Sequence, residues 1–131
     1  MSVLIEGRTI SRVGPDRDFP VLPGDWEVRC AGRLVAPGLV DALTRLVTGQ
    51  VVSWTGDYLL RSFAQRLESE RQAQARLTVG EVEALTAFAL ASGLRRGVTL
   101  FMENLYAPTC VEEALQVQAR VAERLGARMV N

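Results

Sequence analysis

Two short runs hold the groups in this chain that could act on a ligand. One is Asp41-Ala42-Leu43-Thr44-Arg45 and the other is Glu103-Asn104. Asp41 could serve as a general base, or it could hydrogen-bond the end of its own strand. Arg45 could bind an anion, or lock against a carboxylate through a charge-assisted fork. It could equally sit under no chemical constraint, its charge carried to water on the aliphatic stem. Glu103 could ligate a metal and Asn104 could line the mouth of a pocket, but one carboxylate and one amide are a poor transition-metal set. Both could also belong to an ordinary strand-to-helix loop.

Composition narrows the chemistry further. The chain of 131 residues has no histidine, and all of its basic side chains are arginine. Without lysine there is no Schiff base and no carboxylated-lysine metal bridge. Formal net charge is zero, which leaves no electrostatic footprint for nucleic acid or an anionic membrane. Cys30 and Cys110 stand far apart without metal-ligand spacing, so two buried, reduced thiols are expected. The apolar start, interrupted by Glu6 and Arg8, does not read as a signal peptide, and no run reaches membrane-span length. A cytoplasmic protein is the expectation.

The elements that must position those residues fall into two parts, 1–36 and 37–131. In the first, Val3-Leu4-Ile5 and Thr9 to Val13 flank a Glu6-Gly7 turn and read as a hairpin stopped by Gly14-Pro15-Asp16. Glu27 to Cys30 alternates as a further strand would. In the second, Leu39 to Ala42 reads as a short buried strand. A helix over Asp57 to about Ala75 places Leu60, Phe63, Ala64 and Leu67 on one side, with Gln65 to Arg76 supplying a solvated face. Thr78 and Glu81 form a capping box opening a helix that buries Val82, Leu85, Phe88, Ala89 and Leu94. Gly97 ends it and Val98 to Met102 is β-prone. Thr109 and Glu112 repeat the capping pattern before a helix ending at Gly126, after which Ala127 to Val130 starts a strand. Strand, capped helix, glycine, strand is the βαβ unit of a parallel sheet.

The run Gly32-Arg33-Leu34-Val35-Ala36-Pro37-Gly38-Leu39-Val40-Asp41-Ala42-Leu43-Thr44-Arg45-Leu46 resembles the entry to the barrel of the amidohydrolase superfamily, which commonly continues Asp-Ala-His-Thr-His-Leu. Leu4 to Gly14 looks like that family's small β segment. Ala91 to Leu100, with Gly97-Val98-Thr99, looks like the helix and second strand of its deaminase and chlorohydrolase branch. The resemblance implies an α/β fold: a partial TIM-barrel-like set of first βα units preceded by a small N-terminal β segment. It also implies a zinc or other divalent ion held by paired histidines, with a metal-bound water attacking carbon.

Here Leu43 and Arg45 occupy both of those positions. Leucine has no lone pair to donate, and arginine is not deprotonated in proteins. Filling a vacated cavity with apolar volume accounts for Leu43. The expectation is therefore no catalytic residue, no metal and no cofactor within this chain. About three parallel strands cannot close a barrel of eight, so either the chain is a piece of something longer or its sheet is completed by another chain: a second polypeptide with the remaining strands, or another copy in a homo-oligomer. Trp54 and Tyr58, in the loop after the first barrel strand, suit such an interface. The alternative is half of a split metal-dependent hydrolase or deaminase acting on C–N or C–Cl bonds, whose metal ligands come from the partner. A third reading is a small module that holds an anion on Arg45.

Overall fold

The computed structural model describes residues 1–53, 61–105 and 110–130. The chain divides into two compact units, Met1–Ala36 and Pro37–Asn131, each with its own sheet.

In the first unit β1 (Ser2–Glu6) and β2 (Thr9–Gly14) pair antiparallel, Val3 opposite Val13, with a register shift between Leu4 and Ile5. A single 3-10 turn, Asp16–Asp18, follows, and the terminal amino group lies 2.7 Å from the Asp16 carboxylate. The strand expected at Glu27–Cys30 does not form. Alternation supplies a face, but a strand also needs a ladder partner for its amides, and among the described residues none pairs with this segment.

The second unit runs β3 (Leu39–Thr44), α1 (Thr48–Ser53), α2 (Phe63–Gln74), α3 (Val79–Arg95), β4 (Val98–Glu103), α4 (Val111–Leu125) and β5 (Arg128–Val130). Its three strands are parallel in the order β3-β4-β5, as two crossovers through helices require. The fold is mixed α/β, and three strands do not close a barrel. Thr78 and Glu81 form the expected reciprocal capping box at the start of α3. These hydrogen bonds hold the Glu81 carboxyl below the usual range. The second expected box does not cap α4: its N-cap is Cys110, whose side chain makes no capping hydrogen bond, and Thr109 lies outside the described residues. An unforeseen box, Ser62 with Gln65, opens α2.

Helices α3 and α4 pack on one face of the sheet. Phe101 sits at the centre, 2% exposed, among Ala89, Leu90, Val117, Val121 and Ala122, with Met129 of β5 partly buried beside them. The stripe that α3 turns inward is Val82, Thr86, Ala89 and Leu90, while Phe88 is exposed, against expectation. Thr86 replaces it because Gln118 of α4 offers the hydroxyl a partner in the core. Alternation along β4 turns Met102 to the opposite face, where it pairs in register with Val130. Both are exposed, as are Leu39 and Val40 of β3, which was expected to be buried. An edge strand of a sheet covered on one side only leaves such residues in water. Among the described residues no single helix is long and apolar enough to cross a membrane.

Candidate functional site

The carboxyl ends of β3 and β4 bring the candidate residues of both runs to one rim. Thr44 lies in register with Glu103, and the Asn104 N–H donates to the Thr44 carbonyl at 3.1 Å. Asp41 is half-buried and accepts from the Leu43 N–H at 3.4 Å, which is the strand-end role open to it from the sequence. Leu43 is 68% exposed and does not fill a cavity, which corrects the apolar-filling expectation. Among the described residues none encloses it.

Arg45 has a defined partner. Its Nη1 donates to Glu70 Oε2 at 2.8 Å, and the Glu70 side chain is only 10% exposed against 47% for Arg45. The pair fastens the rim of the sheet to α2. One turn later, Gln74 donates to the Thr48 hydroxyl, and Gln74 and Thr48 are both buried. The polarity of α2 is thus the reverse of that expected: Glu70 and Gln74 face inward, while Phe63 and Leu67 are exposed. Polar partners at Arg45 and Thr48 decide which side turns in, because a buried charge or amide must be matched. Leu60, Trp54 and Tyr58 lie outside the described residues.

Glu103 is the last residue of β4 rather than part of a loop. Its Oε2 accepts from the Leu46 N–H at 2.9 Å and its Oε1 from Gln118 Nε2 at 3.3 Å. Burial pushes its carboxyl above the usual range; these bonds and the Asn104 N–H oppose the rise, and the nearby Asp41 charge adds to it. Gln118 is fully buried, also donates to the Thr86 hydroxyl at 3.3 Å, and leaves its own Oε1 without a hydrogen-bond partner. Neither Thr86 nor Gln118 was a candidate in the sequence. Both are polar residues on helix faces otherwise apolar, and that is the signal that could have found them.

Replacing Glu103 with glutamine tests this cluster. A carboxyl whose folded pKa is raised contributes stability fully below its unfolded value of 4.5 and loses it as pH rises towards the folded value. Glu103→Gln should therefore gain on the parent steadily as pH climbs from acid to neutral. Urea midpoints of both proteins across that range check the sign.

These residues do not fit a resident metal. Leu43 offers no donor, the Arg45 guanidinium is held by a carboxylate, and both Glu103 oxygens already accept N–H groups, from Leu46 and Gln118. Among the described residues no group of three or more His, Cys, Asp or Glu could hold an ion. Cys30 and Cys110 are unpaired and half-buried rather than fully buried.

No family model and no solved structure matches the chain. Over 114 residues it is 28% identical to a 5-methylthioadenosine/S-adenosylhomocysteine deaminase of Symbiobacterium thermophilum. That match takes in 87% of this chain and 26% of the deaminase, so the chain spans about a quarter of its relative's length. The similarity supports an amidohydrolase-like origin.

Proposed function

We propose that this chain is an amidohydrolase-derived structural subunit whose own residues carry out no metal chemistry and whose sheet is completed by another chain. It corresponds to the opening βα units of a TIM-barrel-like fold. The observation that carries this reading is the rim itself: the two positions that resemble metal ligands hold an exposed leucine and an arginine tied to Glu70. The uncovered sheet face, with Val40, Met102 and Val130 exposed, supports the interaction role, since parallel strands are normally covered on both sides. A second polypeptide or another copy of the chain would serve. The deaminase similarity favours one other reading, a split hydrolase in which the partner brings every metal ligand.

Native mass spectrometry with metal analysis of the purified chain, and of any complex isolated with it, tests these readings. An assembly in which Met102 resists peroxide oxidation, without stoichiometric metal, is the expected result. A stable monomer with Met102 freely oxidised would overturn the interaction role. Stoichiometric zinc with hydrolase or deaminase turnover in the complex would establish the split enzyme instead.

A further inference from the structure

We propose that the cleft between the end of β3 and helix α2 is a binding site for a small monocarboxylate with an apolar body. This goes beyond the structural role above and does not depend on it, because its residues all belong to the second unit of this chain. The cleft holds about 260 Å³ and is lined by Arg45, Leu67, Glu70, Arg71, Gln74 and Asn104. A second hollow of about 290 Å³ shares Arg45, Leu67 and Glu70 and reaches Phe63 and Arg66.

Arg45 sets the chemistry. A guanidinium carries five N–H donors in a planar fork, and among the described residues only Nη1 is engaged, by one oxygen of Glu70. The Nε–Nη2 edge can donate to the two oxygens of a carboxylate side by side, on a side chain 47% exposed and lining both hollows. Arg66 and Arg71 add positive potential around it, although Glu68 already clamps Arg71 through two hydrogen bonds of 2.9 and 3.0 Å.

Glu70 limits the charge the site accepts. Its carboxylate stands 2.8 Å from the same guanidinium, so a dianion such as phosphate meets repulsion that a single negative charge meets far less. The apolar requirement comes from α2. Phe63 and Leu67 lie 74% and 51% exposed on the walls, and an aromatic or aliphatic body could shield them from water. A planar carboxylate on a short apolar group matches the fork, the charge and the walls together.

Benzoate is the probe. Titrated into the full chain and followed through arginine Nε–H resonances, it should bind with a Kd on the order of millimolar, as expected for so small a ligand. Benzyl alcohol, of the same shape without the charge, should give no saturable shift, and inorganic phosphate should bind more weakly than benzoate. Arg45→Lys keeps the charge and the salt bridge but loses the fork, and should weaken benzoate about tenfold. Glu70→Gln removes the competing carboxylate and should tighten it several-fold. Unchanged affinity in Arg45→Lys, an equal response to benzyl alcohol, or tighter binding of phosphate than of benzoate would each overturn the proposal.

Discussion

Replacing Gly38 with alanine is expected to cost about 3 kcal/mol or more, the upper end for forcing volume into a packed site. A Cβ at this position would lie 2.1 Å from Thr99 Oγ1, 2.4 Å from its Cγ2 and 2.8 Å from its Cβ. The first two atoms could be removed by Thr99→Ala, but the third could not, and it is carried by the backbone of β4. The Leu39 N–H also donates to the Gly97 carbonyl at 2.7 Å, so the strands cannot separate to make room without breaking the first bond of their ladder. Gly38→Ala should therefore lower the urea midpoint sharply, Thr99→Ala should restore little of it, and Thr99→Gly should restore most. Full rescue by Thr99→Ala would show that the contact is softer than its distances imply. The Pro-Gly of the recognisable motif has a physical basis in this contact: the glycine lets two parallel strands meet at their start.

The second large effect belongs to Phe101. Truncation to alanine should destabilise the second unit by about 3–5 kcal/mol, the range for a buried aromatic whose neighbours cannot fully collapse. The ring lies against the backbone of α3 at Gly93, where an added Cβ would stand 2.6 Å from Phe101 Cε1. Close approach of helix to strand is thus built on a glycine on one side and an aromatic ring on the other. Gly93→Ala alone should destabilise as well, and combining it with Phe101→Leu should cost less than the sum of the two, because the smaller side chain vacates part of the space the new methyl needs. Chemical denaturation of the four proteins measures that coupling, and strict additivity would show that the two positions do not share one packed volume.

Local signals in the sequence were reliable where local physics decides. The β1–β2 hairpin, the α3 capping box, and the strand–helix–strand rhythm from Val98 to Val130 all follow from turn chemistry, caps and hydrophobic period. The failures lie where a distant partner decides. Glu27–Cys30 alternates like a strand but has no neighbour to pair with. Phe88 belongs to an apolar stripe by spacing, yet α3 turns Thr86 and Leu90 inward instead, because Gln118 is opposite. At the rim, the sequence left the role of Arg45 open between anion binding, a carboxylate lock and plain exposure. Glu70 could not be singled out as its partner, since α2 carries both Glu68 and Glu70, and its burial depends on where the end of β3 falls. Glu103 looked equally at home in a loop. Only its contacts with Leu46 and Gln118 distinguish it.

The reversed polarity of α2 means that the two sides of the second unit answer to different solution forces. Layer α3–α4 is held by apolar burial around Phe101, which strongly hydrated salts such as sulfate reinforce. Helix α2 is held at the rim by the Arg45–Glu70 pair and the Gln74–Thr48 bond, and mobile ions screen the half-exposed first of these. Raising sulfate therefore acts on the two in opposite directions, firming the core while weakening the ion pair that holds α2 at the rim. A fold of this kind has no single best salt concentration. What stabilises its centre loosens the wall of its cleft.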